Sequence, residues 1–194
     1  AIDATSGPGF VAVRRADGGL VVESCGDREQ RTAELLVPTM MACLARAGVA
    51  ATDIDLVVAN VGPGGFTGTR ATLAVARAFC MATGVEALGL NAMEIAAASR
   101  LATGSTGPVA VLRDAQRGQT VFQAFDALAR PLDEPRVADG PERLLEGADW
   151  PTLLCLGGVE PSRPASERLE RTLIEDLVGA AAFRLQHGAA PVPG

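Results

Sequence analysis

The most restrictive feature of this sequence is an internal repeat. AIDATSGPGFVAV, from residue 1, and LRDAQRGQTVFQA, from residue 112, each place Asp-Ala at a strand end, with a glycine four residues after the aspartate. Asp3 therefore corresponds to Asp114, and Gly7 to Gly118. Further on, TLLCLGGV repeats the pattern of DLVVANVGPGG, in which a buried strand runs into glycines. The repeat predicts a duplicated α/β fold of two lobes, each a strand meander followed by parallel strands with helical crossovers.

The composition changes at TGSTGP, so we predict an N-terminal lobe over residues 1–103 and a C-terminal lobe over residues 104–194. The second lobe is the shorter one, and its segment RPLDEPRVADGPERLLEGADW carries one modest helix. The chain begins within a predicted strand and ends AAPVPG without a closing element. We therefore expect that both ends are truncated and that terminal elements lie beyond them.

Apolar spacing predicts the elements of the first lobe. FVAVRR and LVVESC form a hairpin, IDLVVANV is a strand buried on both faces, and EALGL is a short strand. Helices are predicted over residues 32–47, 67–83 and 92–101. In the first helix Thr32 is the expected cap, Pro38 predicts a kink or a late start, and Gly48 ends the helix.

The composition excludes several kinds of chemistry. All 17 basic residues are arginine, so there is no phosphate-loop, Schiff-base or general-base lysine, and there is no tyrosine. The net charge of −6 argues against wrapping nucleic acid by bulk electrostatics. The four cysteines form no CxxC pair and therefore signal neither a zinc site nor a disulfide framework. No apolar run is long enough to span a membrane and no signal peptide is visible, so we expect a cytoplasmic protein without membrane contact.

The stretch NVGPGGFTGTR, residues 60–70, has the order strand, glycine turn and helix that is typical of a phosphate cradle. It fails the Walker pattern, because Thr67 and Gly68 stand where glycine and lysine are required, and it fits the dinucleotide fingerprint only loosely through Gly62, Gly64 and Gly68. Two interpretations remain. The turn formed with Gly65 either starts a helix that Thr67 caps, which we favour, or binds an anion as a vestigial nucleotide loop.

Other catalytic constellations are sparse. Asp3 and Asp114 are the best carboxylate pair, and would flank a metal-bound phosphate in a duplicated nucleotide-binding fold; alternatively they are turn residues that accept backbone N–H bonds. Arg117 lies at the turn after Asp114, where it could meet an acid or a phosphate. His187 stands far from any nucleophile, so a peptidase is not indicated. No cluster of hard ligands predicts a metal site.

Two helices have wide apolar arcs. The helix over residues 67–83 has a row of small residues that includes Ala74 and Ala78, with Arg70 and Arg77 beside it, and such a row allows close helix packing. The anchors of the helix over residues 32–47 are Leu36, Met40 and Leu44. Both helices could simply cover one face of the sheet. The breadth of the arcs favours the interpretation that part of this surface binds another protein.

NVGPGGFTGTRATLAVARAFCMATGVEALGLNAMEIAA resembles the signature of the bacterial TsaB (YeaZ) family. Its specific part is the Gly-Pro-Gly-x-Phe-Thr-Gly-x-Arg turn, and AIDAT, ELLVPTM and DAQRGQTVFQAF fit the same family in order. The resemblance covers nearly the whole chain. The chain departs from the family pattern at two places. QRTAE stands where a His-Ser pair is common, and Gln119 and Val121 stand where Glu and Tyr are usual.

This resemblance implies a duplicated actin-like ATPase (ribonuclease H-like) fold without a working catalytic site. It also implies a partner for TsaD, the enzyme that transfers a threonylcarbamoyl group to adenosine 37 of tRNAs that read ANN codons, with the ATPase TsaE in the same assembly. Helices 32–47 and 67–83 would bind TsaD in a helix bundle, and would form a homodimer without it. ATP or ADP and magnesium would belong to the assembled complex, and tRNA would be reached only through it.

A second hypothesis is kept beside this one. The chain would then be a degenerate nucleotide-binding hydrolase or kinase of the actin-like ATPase superfamily, using Asp3, Asp114 and the Gly62–Gly68 loop. The two hypotheses differ in the residues that each requires, because the enzyme depends on the carboxylates whereas the partner depends on the helix surface.

Overall fold

The computed structural model describes residues 1–26, 32–115, 117–147, 150–162, 167–169 and 173–192. The described residues form two five-stranded sheets. The strands are β1 (Ile2–Asp3), β2 (Gly9–Arg14), β3 (Leu20–Cys25), β4 (Leu56–Asn60), β5 (Glu86–Leu90), β6 (Val109–Asp114), β7 (Gln119–Phe125), β8 (Arg136–Asp139), β9 (Thr152–Leu156) and β10 (Glu167–Leu169). The helices are α1 (Thr32–Ala47), α2 (Phe66–Thr83), α3 (Ala92–Ala102), α4 (Glu142–Leu145) and α5 (Ile174–Gln186).

The two sheets have the same design. The first has the order β3-β2-β1-β4-β5, and the second, followed from its other edge, has the order β8-β7-β6-β9-β10. In each, three antiparallel strands continue into two parallel ones. β6 is thus the counterpart of β1. Asp3 and Asp114 each stand at the end of their strand, as the repeat predicts. The predicted duplicated α/β fold is confirmed, including the reduced second lobe, whose α4 has 4 residues where α1 has 16.

The chain's apolar residues fill three layers. The first lies on the side of the first sheet that α1 and α2 cover, the second lies between the two sheets and contains α3 and α5, and the third lies on the outer face of the second sheet. α5 and the end of the chain belong by sequence to the 104–194 range, yet α5 packs on α3 and on the first sheet, and Val192 bridges to Ala87 of β5. The boundary at 103/104 stays a prediction.

The predicted helix ends need three corrections. α1 continues through Pro38, so the late start is wrong. Thr32, the expected cap, is instead the first residue of α1, and the helix ends before Gly48, whose φ is +67°. α2 begins at Phe66 with Gly65 as its N-cap, and no side chain caps it. Thr67 therefore lies inside the helix and is not its cap. Among the described residues, no helix has the length and apolarity that crossing a membrane requires.

A buried ion pair joins α3 to α5. The Arg184 guanidinium donates to the Glu94 carboxylate across 2.6 Å, and both side chains are nearly buried. Burial raises the pKa of the Glu94 carboxyl by more than its hydrogen bond and ion pair with Arg184 lower it. The pair therefore fixes the position of α5 more than it adds to the free energy of unfolding.

This pair predicts a pH dependence of stability. Folded Glu94 binds its proton more tightly than the unfolded chain does, so its contribution to the free energy of unfolding falls as pH rises from the unfolded pKa, about 4.3, to the raised folded pKa. In Glu94→Gln the free energy of unfolding should no longer decrease over this pH range on account of residue 94. Melting temperatures of both proteins between pH 4 and pH 7 test this, with Glu175→Gln on the exposed side of α5 as control. Parallel profiles for the parent and Glu94→Gln would contradict the prediction.

Candidate functional site

The glycines of the turn between β4 and α2 serve a close backbone approach. A Cβ at Gly64 would stand 2.5 Å from the Thr5 carbonyl oxygen, and one at Gly68 would overlap the Ala4 carbonyl oxygen. Gly62, with φ +91°, makes the turn itself. The start of α2 therefore lies directly against the backbone that follows β1, which only residues without a side chain allow.

Hydrogen bonds within the turn use donors that a phosphate cradle would need. The Gly65 N–H donates to the Thr5 carbonyl across 2.7 Å, and the Gly62 N–H donates to the Asn60 side-chain oxygen across 2.9 Å. The Ala4 N–H donates to the Thr72 hydroxyl of α2. A nucleotide loop presents such N–H groups to its ligand. Here these N–H groups join the turn to its own protein, so they are not offered to a phosphate.

Asp3 is the centre of a buried polar network. One of its carboxylate oxygens accepts the Thr5 N–H at 2.7 Å and the Thr5 hydroxyl at 2.8 Å. The other accepts the Asn60 amide at 2.9 Å, and the same amide also reaches the Thr5 hydroxyl. Asp3 and Asn60 are 5% and 0% exposed. Both carboxylate oxygens thus accept hydrogen bonds from protein donors, as in the turn-forming alternative.

Asp114 lies at the corresponding end of β6 but is exposed. The Asp114 Cβ lies close to Gly157, because a Cβ added to that glycine would stand 3.4 Å from it. Half-buried Arg113 precedes it. Burial lowers the pKa of the Arg113 guanidinium, and the negative charges of Asp3 and Asp114 oppose that shift. The negative charges of both carboxylates therefore act on the Arg113 guanidinium.

The described residues contain no group of three or more histidine, cysteine or acidic side chains arranged to hold a metal ion. All four cysteines are buried, and none of them forms a disulfide. His187 ends α5, where its Nδ1 lies 2.7 Å from the Phe183 carbonyl oxygen, so it is a helix-terminal residue. A cavity of about 640 Å³ lies between β2, β4, α1 and α5, and its lining includes neither carboxylate of the pair.

The structure divides the residues predicted for the helix surface into two groups. Leu36 and Leu44 are 0% and 5% exposed and belong to the core under α1, so they cannot contact a partner, which corrects their assignment. Met40 is half-buried against the same core. Periodicity marks a common side of a helix, and here that side faces the sheet. The predicted residues of α2 lie on its exposed side: Arg70, Ala74, Arg77 and Ala78.

The neighbouring helices α1 and α2 nevertheless expose an apolar surface. They carry five of the twelve large apolar side chains that the described part of the chain exposes. These are Leu35, Val37 and Met41 of α1, with Phe66 and Met81 of α2. Together with Arg70, Ala74, Arg77 and Ala78 they are called the α1–α2 surface below. The Arg70 guanidinium stacks over the Phe66 ring, 3.8 Å from its centroid.

Sequence reasoning missed the two most exposed apolar side chains of this surface. Phe66, at 69% exposed, and Met81, at 80%, were not singled out, although Phe66 lies in the most specific stretch of the chain. Arg113 was missed as well. A signal was present for each, because a large apolar residue beside a polar stripe and an arginine in a buried strand both contradict the surrounding pattern.

The chain is a duplicated α/β protein with an exposed helix pair. Its two sheets have one design and enclose α3 and α5, and a glycine turn anchors α2. The model of the family described as "TsaD: tRNA N6-adenosine threonylcarbamoyltransferase" matches residues 15–148. The chain belongs to that family. The family supports a role in the threonylcarbamoyl modification of tRNA adenosine.

Relatives and solved structures agree with this assignment. Uncharacterized proteins of Mycobacterium tuberculosis and Mycobacterium bovis are 34% identical over 173 residues, which is 85% of this chain and 79% of theirs. The structure of YeaZ from Pseudomonas aeruginosa has a TM-score of 0.78 at 24% identity, over 99% of this chain and 93% of that one. A second Pseudomonas aeruginosa structure, titled as similar to peptidase YEAZ, has a TM-score of 0.77. The resemblance to the TsaB (YeaZ) family is thereby confirmed.

Proposed function

We propose that this chain is the non-catalytic partner of the TsaD transferase in threonylcarbamoyladenosine modification of tRNA position 37. It binds TsaD through the α1–α2 surface. The concentration of exposed large apolar side chains on two adjacent helices is the observation that carries the proposal. Exposed apolar side chains gathered on one part of a protein and bordered by polar residues mark interaction sites.

The composition of the surface suits a helical partner. Ala74 and Ala78 are exposed on successive turns of α2 and keep its axis accessible to a second helix, since interaxial distance depends on side-chain size at the contact. Met41 and Met81 are flexible apolar side chains that fill irregular gaps. Phe66, with Arg70 stacked on it, is an aromatic and arginine pair of the kind that carries much of the binding energy in interfaces.

The carboxylate site supports a partner over an enzyme. Both oxygens of Asp3 accept hydrogen bonds from Thr5 and Asn60, and the donors of Gly62 and Gly65 are used inside the protein. We therefore assign no cofactor, metal or catalytic residue to this chain. ATP or ADP and magnesium, TsaE and tRNA enter through the assembled complex, and the chain without TsaD forms a homodimer through the same surface.

Size-exclusion chromatography with light scattering tests the proposal. The chain alone should elute as a dimer, and a mixture with TsaD from the same source should give a heterodimer. A mixture that does not associate, with or without tRNA and ATP, would contradict it.

The rival hypothesis, a nucleotide hydrolase or kinase, makes a different prediction. Asp114→Asn would then abolish nucleotide turnover by the isolated chain. We expect no turnover in either protein, and an affinity for TsaD within about twofold of the parent, since an exposed carboxylate outside the interface changes binding energy by less than about 0.5 kcal/mol. Turnover by the parent that Asp114→Asn removes would favour the enzyme.

A further inference from the structure

The chain turns back onto the first sheet after α5. Gly188, with φ +89°, makes the turn, and the Ala189 N–H donates to a carbonyl in the last turn of α5 across 2.9 Å. Ala189 also packs against the core between the two sheets. Val192 then pairs with Ala87 of β5, each donating its N–H to the carbonyl of the other across 2.8 Å. Residues 188–192 are called the tail below, and they reach the outer edge of β5.

β5 is an edge strand whose outward groups the tail meets. β4 pairs with one side of β5, and the Leu90 carbonyl accepts the Val61 N–H on that side. The backbone groups of successive residues in a strand point in opposite directions, so Ala87 and Gly89 turn theirs away from β4. Outward N–H and C=O groups on an edge strand are a template for pairing with another chain. The pair between Val192 and Ala87 occupies this template at its centre.

The other edge strands of the described residues carry their own protection. β8 has four residues, of which Arg136 and Asp139 are charged, and β10 has three residues. β3 has Glu23 within its length. β5 has five residues, and Glu86 at its start is its only charge. Because short length and charge discourage the addition of a strand, β5 is the edge that most needs a cover.

The tail covers β5 without offering a new edge of its own. Val192 turns its N–H toward Ala87, so donors for the side away from β5 would have to come from the neighbours of Val192. These neighbours in the sequence are Pro191 and Pro193. Proline has no N–H and cannot donate to a sheet ladder. A further strand would therefore find no donor on either side of Val192.

We infer that the tail is an edge cap, which prevents a second copy of this chain from pairing with β5. When the tail is removed, Ala87 and Gly89 offer their backbone groups to the same groups of another copy. Two β5 strands then form an antiparallel ladder across a twofold axis, which is the symmetry of an isologous dimer. This contact lies on β5 and not on the α1–α2 surface, and the inference does not depend on binding to TsaD.

Shortening the chain after Ala189 tests the cap, because it keeps the Gly188 turn and the Ala189 contacts that end α5. The full and the shortened chain both carry Ala74→Arg, which disrupts the α1–α2 surface. In size-exclusion chromatography with light scattering, the full chain should stay monomeric as its concentration is raised, and the shortened chain should form dimers. The Ala87 amide should exchange hydrogen at least about tenfold faster in the shortened monomer than in the full chain, and slowly again in the dimer.

Two variants of the full chain, in the same background, separate the backbone pair from the side chain. Val192→Pro removes the N–H that donates to Ala87 and should dimerise as the shortened chain does. Val192→Thr keeps this N–H and changes a side chain that is 58% exposed, so it should stay monomeric. In the shortened chain, Ala87→Pro removes the outward donor at a place where an edge strand tolerates proline, and should restore the monomer.

A shortened chain that stays monomeric at every concentration would overturn the inference. So would a dimer in which the Ala87 amide still exchanges quickly, because the new contact would then lie elsewhere. Equal association of Val192→Pro and Val192→Thr would also contradict it. Because no measurement in this series uses TsaD, a failed heterodimer beside the expected results would count against the proposed function alone.

Discussion

Ala74→Arg should abolish the complex with TsaD and leave the chain folded. Ala74 is exposed in the middle of α2, between Arg70 and Arg77, and arginine is nearly as good a helix former as alanine, so the substitution costs the fold little. In the complex it would hold the facing helix away and add a third cation to this stripe. A cation buried in an interface without a partner costs several kcal/mol, so we expect affinity to fall at least about 100-fold.

The matched control is Ala102→Arg, which makes the same change at an exposed alanine in the last turn of α3, on the other side of the first sheet. Calorimetric titration with TsaD should give parental affinity for Ala102→Arg and no measurable binding for Ala74→Arg. Circular dichroism should show both proteins folded. If Ala74→Arg binds as tightly as Ala102→Arg, TsaD does not use the α1–α2 surface.

Leu36→Asp, which the sequence alone also suggests as an interface variant, would test something different. Leu36 is 0% exposed beneath α1, so a charge there disrupts the core and removes binding together with folding. Helical spacing shows that Leu36, Met40 and Leu44 share one side, but it cannot show whether that side faces a sheet or a partner. That depends on where the sheet lies, which is a matter of tertiary structure.

Local patterns identified most of the first lobe. β3, β5 and α1 have the predicted bounds, because alternation, helical spacing and a terminal glycine act within a few residues of each element. β8 was missed because RVAD has no apolar alternation, and its pairing with β7 forms it. α5 was missed although Ile174, Leu177 and Ala181 recur at helical spacing.

Long-range contacts account for the rest of the candidate site. Asn60 and Asp3 are 57 positions apart, and no neighbouring residue signals their hydrogen bond. The repeat did predict that Asp3 and Asp114 are equivalent, because it compares two copies of one topology. It could not reveal that the two differ in burial, since Asp3 is 5% exposed whereas Asp114 is exposed.

Gly68→Ala should strongly destabilise the protein. In most helices this substitution is favourable, because alanine has a smaller backbone entropy cost and a higher helix propensity. At Gly68 the added Cβ would overlap the Ala4 carbonyl oxygen, which is backbone and cannot rotate away. α2 would have to move off the segment after β1 and give up the Ala4–Thr72 hydrogen bond of 2.9 Å. We expect a loss of about 3 kcal/mol, or roughly 6–12 °C in melting temperature.

Gly179→Ala supplies the opposite result within the same protein. Gly179 is an exposed glycine inside α5, and nothing lies within 4 Å of a Cβ built on it, so the change should stabilise the fold by about 0.5–1 kcal/mol. Urea unfolding of both variants measures the contrast. If Gly68→Ala were as stable as Gly179→Ala, the glycine turn would not hold α2 against β1. The α1–α2 surface would then owe its shape to the core beneath it, and the glycines of NVGPGGFTGTR would again need a ligand to explain them.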